Sequence, residues 1–413
     1  MKNLYINKIL LLIVLISFST GLFIALITSY SYDNDAYSML KTFLNIVNNG
    51  VYVPSREPGS PIAEIGIGYL AWIGGSKLSN TFSLLLFFLS IVLFPFCFVK
   101  KVDFKKYLFF LTLCSTSPLL LFENTHSIDY SWGLVFFVIG AFLKLRNKND
   151  YLSILFFSLS VGSRCIYALY LLPIIFLDLN QDKKSEIKNK FNYLITCSFC
   201  CFLPYLPVWF FNSLSFDWLT TASPPYSQGL FGVIARFSYK IINSIGIIQS
   251  ILIIFFFQRN FLFIKRFEFL RHKHIYGALI IISINLFVFF SIPAEPMYLQ
   301  IGIISTFFIL IFGFEFNKTN KVIISTMILI NLFLWFKSIN ILDITYQSND
   351  PCAPIYAISA KPEFSFGNGK IKSMIEMSNK VKCHYKEFSD INGIDYSQKI
   401  LKGEKLRSKN IYN

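Results

Sequence analysis

The chain has 413 residues, 54% of them hydrophobic and only 15% charged, with a net charge of +15. Soluble globular domains average about 25% charged residues, so this composition excludes an ordinary soluble domain. Apolar runs of the roughly 20 residues that a bilayer crossing needs recur along the chain, and the alternating segments of about 10 residues that mark a transmembrane barrel do not occur. The predicted fold class is all-α: a polytopic helical membrane protein with about 11 transmembrane helices. The positive charge sits in short blocks between the apolar runs, the pattern of cytoplasmic loops. That reading makes membrane lipids, and no nucleic acid, the partners of the basic residues.

Taken in order, Lys2 and Lys8 flank a first span at about 9–30, which has no clear small-x-small cleavage site after it. A polar loop, 31–82, follows. Further spans are predicted at about 83–99, 107–122 and 130–143, the last two joined by Glu123-Asn124-Thr125-His126-Ser127-Ile128-Asp129. Residues 151–178 exceed one straight span, carry Gly162-Ser163-Arg164 at their middle and have basic blocks on both sides. They predict a hairpin of two short helices with Arg164 near its tip. The next span, 191–211, contains Pro204 and Pro207 and should kink. Spans at about 237–257, 275–292, 297–314 and 322–341 complete a transmembrane unit of residues 1–341, and a polar tail occupies 342–413.

With the N-terminus inside, the outer short loops hold Lys41, Arg56, Lys77 and Arg236, Arg164 joins them at the hairpin tip, and the remaining Lys and Arg of the short loops fall inside. This asymmetry sets the orientation. It puts the 31–82 loop, His126, Asp129, Arg164, Glu295 and the tail on one external face, and the richness in Lys, Asn and Ile, which suits an AT-rich bacterium, makes a bacterial inner membrane the expected location. In that compartment Cys352 and Cys383 could pair as a disulfide or stay as two thiols. Cys197, Cys200 and Cys201 lie in an apolar run without neighbouring His or carboxylate, and read as packing residues rather than metal ligands.

The densest polar chemistry is in 31–61. Asp33 and Asp35 directly follow the first span. Ala36, Met39, Leu40, Phe43, Ile46 and Val47 recur at helical spacing behind them, which predicts an amphipathic helix on the membrane surface. One Asp would suffice as an N-cap. Two carboxylates can instead supply a general base for an acceptor hydroxyl, or oxygen ligands for a divalent cation such as Mg or Mn. Three prolines and a glycine then stiffen Val53–Pro61, which aims Arg56 and Glu57. Arg56 has the fork geometry to bind a phosphate. Glu64, within an apolar segment from Ile62 to Trp72 that reads as an interfacial helix, is a second acid candidate. His126 and Asp129 read as contacts to a sugar or phosphate from a polar outer loop, and Glu123, His126 and Asp129 alone are too few for a zinc site. Arg164 is an isolated charge at membrane depth, the kind of residue that marks a functional path. Arg236, Glu295 and Tyr298 flank later spans on the same face. No Gly-rich nucleotide loop is present, so an enzyme with this external site would draw on a membrane-carried donor.

The order of these features resembles the C-type (GT-C) superfamily of integral-membrane glycosyltransferases, which includes protein O-mannosyltransferases and the aminoarabinose transferases of lipid A. The resemblance covers roughly residues 5–340. It is carried by Asp33-Asn34-Asp35-Ala36-Tyr37, by Tyr52-Val53-Pro54-Ser55-Arg56-Glu57-Pro58-Gly59, by Gly162-Ser163-Arg164 and by Pro293-Ala294-Glu295-Pro296-Met297-Tyr298. Where mannosyltransferase-like members have a double proline, Pro58-Gly59-Ser60-Pro61 stands. The resemblance implies inverting transfer of a sugar from a polyprenyl-phosphate donor to a glycan, lipid-linked or protein acceptor. Asp35 or Asp33 would be the base, and Arg56, Arg164 or a metal would stabilise the leaving phosphate. An O-antigen-type polymerase and a lipid-linked sugar flippase are the alternative readings.

Overall fold

The computed structural model describes residues 2–31, 34–56, 58–147, 149–177, 184–211, 234, 237–238, 241–242, 244–260, 273–291, 296–336 and 403–406. Regular structure among them is helical throughout. Helices Tyr5–Ile27, Pro61–Phe98, Asn189–Phe210 and Lys318–Phe336 are long and apolar enough to cross a membrane. Shorter apolar helices accompany them at Asp150–Ser163, Ile247–Arg259, Ile275–Phe290 and Met297–Phe312. The tail from 342, apart from 403–406, lies outside the described residues, as do Cys352 and Cys383. Cys197 and Cys201 are buried with their sulfurs 4.0 Å apart, in keeping with a packing role.

Helix α1 (Lys2–Ile27) leads to α2 (Asn34–Asn49), which carries Asp35 in its first turn. The apolar face of α2 is covered by protein: Ala36, Tyr37, Met39, Leu40, Phe43 and Leu44 are all buried. The expected surface helix therefore packs on α3 (Pro61–Phe98), where Gly68 leaves the room that Phe43 fills. A Cβ at Gly68 would come within 2.2 Å of that ring.

The largest departure from the sequence expectation is α3 itself. The sequence pattern separates 62–72 from 83–99 by loop, but one helix runs from Pro61 to Phe98. The break is a single residue, Gly75, at φ 70 and ψ −163. Pro61 at the first turn starts the helix with a preset φ and no N–H to satisfy. The expected span at 107–122 is conversely two helices, α4 (Phe104–Thr116) and α5 (Pro118–Glu123). Pro118 disfavours helical backbone at the residue before it, and Ser117 sits at ψ 118.

Helix α6 (Tyr130–Phe142) packs between α3 and α7 (Asp150–Ser163). Arg164 is extended, at φ −155 and ψ 117, and α8 (Tyr167–Leu177) begins just beyond it. Helix α9 (Lys184–Phe202) passes through a 3-10 turn at Leu203–Tyr205 into α10 (Leu206–Phe211), so Pro204 and Pro207 do interrupt the run. Helices α11 (Ile247–Arg259), α12 (Lys273–Ser291), α13 (Gln300–Phe312) and α14 (Lys318–Phe336) follow, with a 3-10 turn at Pro296–Leu299 leading into α13.

Buried amides and hydroxyls tie these helices together where apolar contact alone would not set register. Gln249 donates to Asn331 at 2.6 Å and Asn331 to Thr116 at 3.3 Å. Asn285 donates to the Tyr170 hydroxyl and to the Tyr298 carbonyl, each at 2.7 Å. The bundle has two chemically distinct ends. One gathers the α1–α2 corner, the start of α3, the 123–129 loop, Arg164 and the Pro296–Leu299 turn. The other gathers Lys106, Lys144, Arg146 and Arg259.

Candidate active site

Four charged side chains from four separate elements form an alternating array at the first of these ends. Asp35 of α2 is ion-paired with Arg56 of the Val53–Pro61 turn. The other terminal nitrogen of Arg56 lies 2.7 Å from an oxygen of Asp129, and Arg164 binds the second Asp129 oxygen at 3.0 Å. Asp129 stands at the N-cap position of α6 but makes no side-chain cap there. Both of its oxygens are engaged by guanidinium groups, and Ser60 Oγ donates a further bond at 3.0 Å. Leaving that cap unmade costs about 1 kcal/mol, which the charge-assisted bonds offset.

The array deepens along its length. The side chains of Arg56 and Asp35 retain 26% and 13% exposure, Arg164 retains 7%, and Asp129 has none. A ligand can therefore reach Asp35 and Arg56, while Asp129 acts as the internal counter-ion that holds two arginines. Arg164 is also stacked on aromatic rings, its guanidinium carbon 3.7 Å from the Tyr130 centroid and 4.9 Å from that of Tyr298. Burial opposes its charge, and the Asp129 carboxylate together with the Tyr130 and Tyr298 rings compensates for it. Tyr130, Tyr298, Tyr167, Tyr170, Gln300 and Arg164 line a small cleft beside the array.

Glu64 has a different role from the acid expected of it. It is fully buried. Its carboxylate accepts from the Tyr52 hydroxyl, from Ser55 N at 2.9 Å and Oγ at 2.5 Å, and from Ser60 N at 3.3 Å. Burial, and next the adjacent Glu64 charge, push the Tyr52 phenol well above its usual pKa, so it stays a donor. Glu64 thus pins both shoulders of the turn that presents Arg56, one residue from Ser55, and positions Ser60 for Asp129.

The 123–129 loop also differs from expectation. It is polar but not exposed: Glu123 through Asp129 are all buried, His126 at 1% exposure. Several of its polar groups find partners within the protein. Ser127 N donates to the Tyr30 carbonyl at 2.9 Å, Ser127 Oγ to Asn80 at 2.6 Å, and Gln300 to Asn124 at 3.1 Å. His126 is buried within this loop, and the array is built without it.

Of the residues expected at the site, Asp35, Arg56, Asp129, Arg164 and Tyr298 come together, and Glu64 supports them. Asp33, Glu57, Arg236 and Glu295 lie outside the described residues. Ser60, Tyr130, Tyr52 and Ser55 were not anticipated. Ser60 carried one signal, as a Ser directly before a Pro at a helix start, and Tyr130 only its adjacency to Asp129.

The array does not fit a resident divalent cation at Asp35, whose carboxylate already faces the Arg56 guanidinium. Among the described residues no three His, Cys, Asp or Glu side chains group closely enough to hold a metal ion. What the arrangement offers is a reachable carboxylate beside a reachable guanidinium, with a second arginine and an aromatic cleft behind them. No family model, curated protein or solved structure matches the chain.

Proposed function

We propose that the chain is an integral-membrane glycosyltransferase that moves a sugar from a polyprenyl-phosphate donor to an acceptor hydroxyl on the external face of the membrane. The single observation that carries this reading is the Asp35–Arg56–Asp129–Arg164 array at one end of an apolar bundle. The donor's phosphate is an anion and its tail is apolar, so it belongs at a membrane-embedded site with accessible guanidinium. Arg56 is the reachable donor of hydrogen bonds, and Arg164 fixes Asp129 so that Arg56 stays aimed.

In this proposal the acceptor hydroxyl attacks the sugar C1 as its proton passes to Asp35. The acceptor O–C1 bond forms, the C1–O bond to phosphate breaks, and the lipid phosphate departs as an anion stabilised by Arg56. Asp35 is preferred as base because Asp129 is closed to substrate. Donor phosphate competes with Asp35 for Arg56, which releases the carboxylate for proton transfer as the donor binds.

The membrane topology proposed with this reading has about 11 crossings, the shorter apolar helices joining the four long ones. The basic end then faces the cytoplasm and the array the exterior, in accord with the distribution of Lys and Arg. The test is transfer from a labelled polyprenyl-phosphate sugar by purified wild-type and Asp35→Asn protein. Transfer by the wild type and its loss in the variant supports the reading. Full activity in Asp35→Asn removes the base, and movement of intact labelled lipid across proteoliposomes without a new glycosidic bond favours the flippase instead.

A further inference from the structure

The segment Gly403–Leu406 is docked on the α3 kink. A helix broken at Gly75 leaves backbone groups near the break without their usual partners, and buried backbone groups need partners. The tail supplies them. Ser76 N–H donates to the Gly403 carbonyl at 3.0 Å, and Leu406 N–H to the Ala71 carbonyl at 3.3 Å. The Leu406 side chain is fully buried in a cluster with Tyr30, Tyr37, Ala71 and Leu84.

The fit is close on both sides. Gly75 and Gly403 have φ of 70 and 62, a region that favours glycine. A Cβ on Gly75 would stand 2.5 Å from the Gly403 oxygen, and one on Gly403 would stand 2.2 Å from Ser76 Oγ.

The docked segment reaches the site through Tyr30. The Tyr30 hydroxyl donates to the Glu404 carbonyl at 2.7 Å, while its own carbonyl receives Ser127 N–H at 2.9 Å. Asn80, four residues past Ser76 in the same helix, donates to Ser29 at 2.8 Å and accepts from Ser127 Oγ at 2.6 Å. One hydrogen-bonded unit therefore contains the tail, the kink, the corner that leads to Asp35 and the loop that carries Asp129.

We propose that Gly403–Leu406 is a positioning clasp: by filling the kink at Gly75 it fixes Tyr30, and through Tyr30 it sets the Asp129 loop against the helix of Asp35. Its kinetic consequence rests on the transferase reading; its structural consequence does not.

Hydrogen exchange by mass spectrometry on the purified full chain, with Leu406→Asp and Gly403→Ala as variants, tests it. Both variants should speed exchange by about tenfold at the kink peptide 71–77, and also at 34–40 and 126–131, with the basic end unchanged. No change at the kink overturns the docking. Change confined to the kink overturns the positioning, whether or not the chain transfers sugar. In the transfer assay the same variants should lower kcat by about tenfold to a hundredfold, as misplacement of reacting groups does, with the donor KM within about twofold and Leu406→Met close to wild type. An unchanged kcat alongside faster exchange at all three peptides also overturns the positioning role. A wild-type chain that transfers nothing sinks the transferase reading and leaves the exchange result to decide the clasp.

Discussion

The two ends of the bundle handle charge in opposite ways. At the site end, carboxylates and guanidiniums from distant parts of the chain face one another: Asp35 with Arg56, Arg56 with Asp129, Asp129 with Arg164. At the other end, cations find local or neutral partners. Lys144 pairs with Asp150 across one short turn and lies 3.7 Å over the Tyr193 ring. Arg146 donates to the Phe96 carbonyl at 2.8 Å, Lys106 to that of Phe314 at 3.4 Å, and Arg259 to Thr319 at 3.1 Å. Sidedness in a membrane needs only the presence of positive charge, so local partners suffice there. A buried array assembled across the fold costs desolvation at every member, and that cost is why the proposed function is placed at this end.

The comparison breaks most readily at Asp129. Replacing it with Ala leaves Arg164 buried without its carboxylate, which should cost about 3–5 kcal/mol, read as a lowered thermal unfolding temperature in detergent. The double variant Asp129→Leu/Arg164→Met removes both charges. It should regain much of that stability while losing transfer activity, which would separate the structural from the functional share of the pair.

Glu64→Gln comes next. An amide group in place of one carboxylate oxygen turns a donor toward Tyr52 or Ser55, and a mismatched buried donor costs about 1–3 kcal/mol. Unfolding should shift by that amount, and transfer should fall because the Arg56 turn loses its anchor. Gly68→Val tests the seat of α2: overpacking against Phe43 should cost about 1–3 kcal/mol and move Asp35, read as reduced transfer. Lys144→Met at the opposite end is the control. Asp150 is 52% exposed, so the loss should stay within about 1 kcal/mol, with transfer unchanged.

The members of the candidate site were legible in the sequence because charged residues beside apolar runs are rare and carry information. Asp35, Arg56, Asp129 and Arg164 each stood out for that reason, and positive-inside counting put them on one side. What could not be read was depth. Glu123 to Asp129 is polar in sequence and looked exposed, yet it is buried, with Tyr30, Asn80 and Gln300 as partners for Ser127 and Asn124. Glu64 looked like an acid and is a fully bonded anchor. The continuity of α3 was hidden because Gly74-Gly75 and the polar residues after it read as loop, whereas the helix resumes once Gly403 and Leu406 satisfy the break. The tail itself gave no signal: Gly403–Leu406 has no pattern of its own, and only the groove it fills makes it intelligible.

The decisive measurement is sugar transfer from a polyprenyl-phosphate donor by wild type, Asp35→Asn and Lys144→Met, each purified and shown to be folded. Removing a general base lowers rate by about 10²–10⁴, so Asp35→Asn should lose at least about a hundredfold while Lys144→Met retains wild-type turnover. Equal activity in Asp35→Asn and wild type, or an equal loss in both variants, would contradict a reaction centred on the array.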